Sequence, residues 1–370
     1  MNENIKKNEL INSCEIDRRK TVLDSTPLYV TLGTHFNCNA QCIFCLGGDY
    51  PSFTLETFKT LFEPKLGKIM RAAVHLGFCG FGETLLMPDI VEFLEYLNLT
   101  LPDVNKAFTT NGIALSKNVS ELMLNGKYSL MVSLHASNAE LHRIMTGTNA
   151  FDKIISNIRF LVAQKKARKS PLHINLVFLA TTQNIDDLPA FVQFAADLGV
   201  DRVTCNHINL YQPEQFRLSC FFIQDKANEV FNRAEIIAQH CGVTLILPPR
   251  FGKYPAPLPG AIRCHDPWNF FYVETQGSVN PCCYAGNHIG YITENDFNDI
   301  WNGPDYIRMR EGHISGNIHS WCKYCFRYDV NNINDIRSHV TFRPETQKMM
   351  LQYLKEHADE YPVSPETLEL

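Results

Sequence analysis

Cys38-Asn-Ala-Gln-Cys42-Ile-Phe-Cys45 gathers three thiols into one loop with C-x3-C-x2-C spacing. Closed iron–sulfur sites take four Cys, and structural zinc sites also take four ligands. Three thiolates can therefore hold a metal centre with one coordination position left free for a small molecule. An aromatic residue, Phe44, directly precedes the third Cys. A second group, Cys264, Cys282, Cys322 and Cys325, supplies four thiols, enough for a closed site. Cys322-Lys-Tyr-Cys325 is a C-x2-C pair, a half-site for zinc or for Fe–S. Zinc stays open for both groups. In the first it would need a fourth ligand, for which His35 is available; in the second it would make a zinc knuckle.

The chain has 13 Cys. Met1–Lys20 is polar and charged, without the apolar core of a secretory signal, so a cytoplasmic location is expected. In a reducing compartment, clustered Cys read as metal ligands or catalytic groups rather than disulfides. Cys14, Cys79, Cys205, Cys220, Cys241 and Cys283 are scattered, and each reads first as a small buried hydrophobe. Hydrophobic residues make up 45% and charged residues 20% of the 370, which suits a folded globular chain. The net charge of −5 leaves no nucleic-acid footprint. The basic run Lys165–Lys169 ends a helical pattern and caps it. No apolar run is long enough to span a bilayer.

The elements that must position these thiols alternate along the chain. Short β-rich runs begin near Leu28, Ala73, Lys106, Leu130, His173 and Arg202. Helical periodicity follows each, over Thr54–Leu66, Ile90–Leu97, Val119–Leu124, Phe151–Gln164, Leu188–Leu198 and Gln224–His240, with Thr54 placed to cap the first. Six strand–helix units predict parallel strands closing into a partial (β/α)6 TIM-like barrel. In such barrels the chemistry sits at the C-terminal ends of the strands. The Cys38 loop follows strand one and Gly80-Phe-Gly-Glu83 follows strand two. Asn111 follows strand three, Ser133 ends strand four, and Cys205 is expected to end strand six at the same rim. Arg250–Pro259 is rich in Pro and Gly and reads as a linker. Five Cys and all three Trp lie beyond it. The expected division is an N-terminal extension (1–24), a barrel (25–249), a small C-terminal Cys-rich domain (250–335) and a helical tail (336–370).

The Cys38 loop with these rim motifs resembles the radical S-adenosylmethionine (radical SAM) superfamily. The resemblance implies that Cys38, Cys42 and Cys45 hold a 4Fe–4S cluster whose open iron binds S-adenosyl-L-methionine (AdoMet). Gly80, Gly82 and Glu83 match the family's glycine–glutamate motif, with Thr84 where Pro is usual. Thr109-Thr-Asn111-Gly matches a stretch often found after strand three, and Ser133 a strand-four contact to AdoMet. Phe44, Gly80, Gly82, Glu83, Asn111 and Ser133 are thus expected to line the cofactor. The Arg often found just before the following Gly is absent, since the chain reads Met145-Thr-Gly147. Arg143 is the expected substitute. Cys264-His-Asp-Pro-Trp, Gly277-Ser-Val-Asn-Pro-Cys282-Cys and the final C-x2-C resemble the SPASM/twitch extension. No Cys follows Cys325, which implies the shorter twitch form with one auxiliary 4Fe–4S cluster. Cys283 could replace Cys282 as ligand, but the Gly-x4-Cys spacing favours Cys282.

The resemblance further implies an enzyme of oxidoreductase or epimerase type. Electrons from a donor such as flavodoxin or ferredoxin would cleave AdoMet to a 5′-deoxyadenosyl radical, which abstracts hydrogen from a substrate C–H bond. The expected substrate is a ribosomally made peptide, oxidised, cross-linked or epimerised. Residues 1–24 hold no winged-helix peptide-recognition domain, which weighs toward the alternative, a dehydrogenase or epimerase of a small carbohydrate or aminocyclitol. A non-enzymatic electron carrier or cluster scaffold is a further alternative. An RNA methyltransferase suits the acidic chain poorly. Neither nucleic acid nor membrane is an expected partner. Cys205 is the expected hydrogen donor in an epimerisation.

Overall fold

The computed structural model describes residues 2–34, 37–47, 53–252, 254, 261–283, 288–322, 325, 333–340, 344–364 and 368. Its frame is one sheet of ten strands. These are β1 (Tyr29–Gly33), β2 (His75–Cys79), β3 (Asn105–Thr110), β4 (Tyr128–Ser133), β5 (His173–Ala180), β6 (Arg202–His207), β7 (Thr244–Ile246), β8 (Phe270–Val273), β9 (Ser278–Asn280) and β10 (Gly290–Tyr291). The spatial order is β10-β9-β8-β1-β2-β3-β4-β5-β6-β7. Neighbours from β1 to β7 are parallel, and β8 is parallel to β1. The last three strands form an antiparallel meander.

The fold is the expected partial α/β barrel, and all six predicted strand–helix pairs are present. Period-2 alternation sorts the side chains. Leu76, Phe78, Phe108, Leu130, Val132, Leu176 and Phe178 face the helices and are fully buried. Phe78 meets Phe93, and Phe178 meets Phe191, on the helices Ile90–Thr100 and Leu188–Leu198. The opposite face, carrying Thr31, Cys79, Thr109, Ser133, Asn175, Thr204 and Tyr272, lines the lumen. Thr54 caps its helix as expected, its side chain accepting from Thr57 N. Lys169 ends the helix Phe151–Arg168 in the left-handed conformation, with basic residues in the last turn.

Several elements have no counterpart in the sequence expectation, among them the helix Pro304–Ser315 and the following three. β7 is only three residues, two of them exposed, within the short run Val243–Leu247. The helix Ala139–Thr146 is short and begins at an Asn138 cap. The helix Glu3–Asp17 buries Ile5, Asn8, Asn12 and Glu15, a stripe of helical spacing made largely of polar residues. Hydrophobic periodicity cannot see such a stripe.

That polar stripe joins the N-terminal segment to the C-terminal one. Asn12 Nδ2 donates to Trp268 O at 2.6 Å and to Ser25 Oγ at 3.1 Å. Glu15 accepts from Asp24 N and Ser25 N at 2.7 and 3.1 Å. Trp268 Nε1 donates to Lys20 O, and Trp301 Nε1 to Ser25 O. Arg310 is fully buried at the centre. Its Nε donates to Pro267 O and its Nη1 to Thr21 O, both at 2.8 Å, and its guanidinium stacks on Trp301 and Tyr306.

The helix Pro344–Glu356 lies where the tail is expected to be helical. It forms a second core in which Met350, Leu351 and Leu354 meet Leu210, Phe216 and Leu218 of the loop after β6. A parallel bridge from Leu210 to Val340 ties the tail to that loop. Most of the linker expected at 250–259 lies outside the described residues. Among the described residues, no helix is long and apolar enough to cross a membrane.

Arg310→Ala removes three hydrogen bonds of a buried guanidinium and is expected to cost about 3 kcal/mol. Arg310→Lys is expected to recover little of this, because an ammonium cannot reproduce the planar fork. Urea unfolding midpoints check both.

Candidate active site

The Cys38 loop leaves β1 at the C-terminal end of the strands. Thr34 N donates to Cys79 O at 2.7 Å, and the Thr34 and Thr84 hydroxyls are 2.6 Å apart. The loop then lies along the end of the helix Ala139–Thr146, where Gln41 N donates to Thr146 O and Ile43 N to Met145 O. Gly147 closes that helix at φ +68, and a Cβ there would stand 3.0 Å from Gln41 O. Only glycine permits this approach without strain. Met145-Thr146-Gly147, where the family often has Arg, is thus the shelf that carries the Cys loop.

Glu83 binds the rim together. It is 1% exposed. Its Oε1 accepts from Leu85 N at 3.0 Å and its Oε2 from Asn111 N at 2.6 Å. Asn111 in turn reaches the Cys loop, its Nδ2 donating to Asn39 Oδ1 at 2.7 Å and lying 3.6 Å from Cys38 Sγ. Cys45 Sγ lies 3.8 Å from Phe81 O, in the Gly80–Glu83 turn. The loops after β1, β2 and β3 therefore meet where the spacing placed them.

The thiols interact. Burial pushes Cys42 up to about 12, and Cys45 and Cys38 add to the rise. Burial also raises Cys38, with Glu83 and Cys45 contributing, while Ala40 and Asn111 hydrogen bonds oppose it. Packed thiols that resist ionisation suit a metal centre, whose positive charge reverses that preference. His35, the fourth ligand that a zinc reading needs, lies outside the described residues.

The other expected residues are placed as follows. Ser133 ends β4 on the lumen face, in line with Ser129 and Met131. Phe44 meets His135 edge-on at 4.9 Å and packs against the tail core. His135 holds φ +62, and its Nδ1 accepts from Leu179 N. Burial lowers its pKa to about 3, so the ring is neutral. Gly80 is exposed and Gly82 half-buried in the turn leading to Glu83. Arg143 is exposed on its helix and makes no side-chain hydrogen bond or ion pair with the other candidates.

Cys205 requires a correction. β6 continues to His207, so Cys205 does not end the strand. It shares the helix-facing side with Val203, is 1% exposed, and lies within electrostatic reach of Cys220. The thiol that does face the lumen is Cys79, at the end of β2, alternating with Leu76 and Phe78. Burial raises it to about 12, with Cys283 contributing, and both sulfurs influence the Tyr272 phenol. The parity of Cys79 along β2 was the available signal.

The second group converges as expected. Cys264, Cys282, Cys322 and Cys325 line one pocket, with Met309 and His313 on its wall. Gly277 takes φ +88 in the turn between β8 and β9, and Cys282 follows that hairpin. Cys325 N donates to Cys322 O, folding the C-x2-C pair back on itself. Cys282 faces this pocket, whereas Cys283 is exposed and interacts with Cys79. Burial raises Cys322 to about 12 and also raises Cys264. Among the described residues, no three His, Cys, Asp or Glu side chains converge tightly enough to hold a single metal ion. A cubane takes one thiolate on each iron, so its ligands stand farther apart than those around a lone ion. Four sulfurs spread around one pocket fit the cluster.

Comparison with known proteins agrees. Residues 34–195 match the radical SAM superfamily, and residues 264–326 match SPASM, an iron–sulfur cluster-binding domain. A probable GTP 3′,8-cyclase of Sulfurisphaera tokodaii is 31% identical over 183 residues, 48% of this chain and 54% of that protein. One from Methanocaldococcus jannaschii is 27% identical over 203 residues, 54% of this chain and 64% of that protein. The chain thus spans about half the length of the curated relatives it matches. Among solved structures, Streptococcus suis SuiB bound to S-adenosylmethionine superposes with TM-score 0.61 at 16% identity, over 82% of this chain and 72% of that one. The anSMEcpe structure with AdoMet and Cp18Cys peptide gives TM-score 0.58 at 16% identity, over 89% and 97%. At these identities the structures speak for the fold.

Burial sets the Glu83 carboxyl above its ordinary value of 4.5, against the backbone and Thr110 hydrogen bonds that lower it. A carboxyl whose folded pKa exceeds its unfolded one contributes stability that is full below the unfolded value and is lost as pH rises through the folded value. The stability of metal-free protein relative to Glu83→Gln is therefore expected to shrink as pH rises from 4.5. Paired urea titrations across that range check it.

Proposed function

We propose that this chain, whose residues 34–195 match the radical SAM superfamily and whose residues 264–326 match an iron–sulfur cluster-binding domain, modifies a peptide at an unactivated C–H bond. The observation that carries the reading is the rim tie, in which Glu83 and Asn111 hold the three-thiol loop over the lumen. Cys38, Cys42 and Cys45 would hold the first cluster and leave one iron open to AdoMet. When bound and reduced, that pair supplies a 5′-deoxyadenosyl radical for hydrogen abstraction. The Gly80–Glu83 turn, Asn111 and Ser133 stand ready to position AdoMet beside the lumen. Cys264, Cys282, Cys322 and Cys325 would hold the auxiliary cluster. A ferredoxin or flavodoxin would deliver the electrons.

The lumen supports a neutral substrate. Among the described residues, its strand faces carry Thr31, Thr109, Ser133, Asn175, Thr204 and Tyr272, with His75, His173 and one guanidinium, Arg202, at the N-terminal ends of β2, β5 and β6. A triphosphate such as GTP calls for several Arg or Lys contacts. The SuiB structure with precursor peptide SuiA and the anSMEcpe structures with peptides add support for a peptide. The Asn175–Thr204 amide–hydroxyl pair, at 3.0 Å, also suits a polyhydroxylated small molecule, the second reading.

Cys79 takes the place of Cys205 as the thiol able to return a hydrogen atom in an epimerisation. The S–H bond breaks as the new C–H bond forms, leaving a sulfur radical that one electron and one proton from the donor system restore.

Anaerobic reconstitution is expected to load about eight irons, falling to about four in the Cys38/Cys42/Cys45→Ala variant. Formation of 5′-deoxyadenosine under strong reduction is expected to vanish in that variant; none in the wild type would favour an electron carrier. A short peptide encoded beside this chain is expected to stimulate turnover. Stimulation by GTP, or by a carbohydrate alone, would overturn the peptide reading. If the product is an epimer, solvent deuterium is expected to enter it in the wild type and not in Cys79→Ala, as read by mass spectrometry.

A further inference from the structure

The helix Pro304–Ser315 runs beside the four-thiol pocket and presents Met309 and His313 to it. His313 is 3% exposed, and among the described residues neither Nδ1 nor Nε2 has a hydrogen-bond partner. Buried side-chain nitrogens are nearly always paired, and an imidazole keeps at least one N–H in every charge state. The ring is held in place. It rests edge-on against Trp268, itself fully buried and anchored by its Nε1 bond to Lys20 O. Met309, Pro267 and Ile318 on the pocket wall offer no side-chain N–H; Arg263 and Trp321, which do, also line the pocket. The acceptor that this fixed donor lacks is the kind of atom a cluster in the pocket would supply.

Resting on the reading that these four thiols hold a cluster, we propose that His313 donates a hydrogen bond to a sulfur of that cluster and sets its reduction potential. An N–H aimed at sulfur stabilises the more negative, reduced state, so it raises the potential. Cluster potentials respond to hydrogen bonds at sulfur and to solvent exposure; His313 supplies the first in a pocket that limits the second. His313 is a positioning residue here, and it ligates no iron.

The test uses full-length protein carrying Cys38/Cys42/Cys45→Ala, reconstituted anaerobically so that the second cluster alone remains. Iron content, the midpoint potential and exchangeable-proton couplings in H2O and D2O are read by EPR methods. They are compared with the same background carrying His313→Phe or His313→Gln. All three are expected to keep about four irons. His313→Phe is expected to shift the midpoint downward and to lose one exchangeable-proton coupling. His313→Gln, which retains an N–H, is expected to recover part of both. An unmoved midpoint in His313→Phe, or equal shifts in Phe and Gln, overturns the proposal. So does loss of iron in His313→Phe, which would make His313 a structural or ligating residue. Absence of iron from the triple Ala background itself would overturn the two-cluster reading, a result distinct from the failure of His313 alone.

Discussion

One buried carboxylate organises the rim. Glu83 stands in the loop after β2 and accepts backbone hydrogens from Leu85 and from Asn111 after β3. Asn111 passes the connection on to Asn39 and Cys38 in the loop after β1. Burying a carboxylate is costly unless donors surround it, and these donors belong to segments far apart in sequence. The three loops that carry the thiols and the glycine–glutamate turn are thereby locked to each other, as a metal centre with an open position requires. The Thr34–Thr84 hydroxyl contact and the Gly147 shelf brace the same loop from two further sides.

The sheet relates that rim to the four-thiol pocket. β8, from the C-terminal segment, pairs with β1 from Tyr29 to Leu32. The Cys38 loop therefore leaves a strand of the same continuous sheet whose β8–β9 hairpin leads to Cys282. Arg310, Trp268 and Trp301 then pin the N-terminal segment across the joint, with side-chain donors meeting backbone carbonyls. A polar seam of this kind fixes orientation, because every hydrogen bond has a direction, whereas apolar contact alone tolerates sliding.

The mouth of the lumen is shaped by the tail. Ile43 and Phe44 of the Cys loop pack against the apolar cluster built by the tail helix and the loop after β6. The aromatic residue between the second and third thiols thus has a packing partner supplied by the far end of the chain. Its edge contact with His135 ties the same cluster to the turn after β4. The covering of the lumen is a cooperative product of the Cys loop, the β6 loop and the tail.

The Cys spacings, the strand–helix alternation and the rim positions of Glu83, Asn111 and Ser133 were legible in the sequence. They depend on local geometry: a loop's ligand spacing, a 3.6-residue period, and the rule that parallel strands end on one side. Tertiary structure decided which thiols face the substrate. β6 runs on to His207, and the two-residue period turns Cys205 to the helices, while Cys79 turns inward. It placed Cys282, the residue that the Gly-x4-Cys spacing favours, on the second pocket. It also made Glu3–Asp17 a docked helix, since the value of Asn8, Asn12 and Glu15 lies in partners up to 256 residues away. Spacing along a chain is a local property and can be read locally; the face a side chain presents, and the partner it meets there, are fixed when distant strands choose their register.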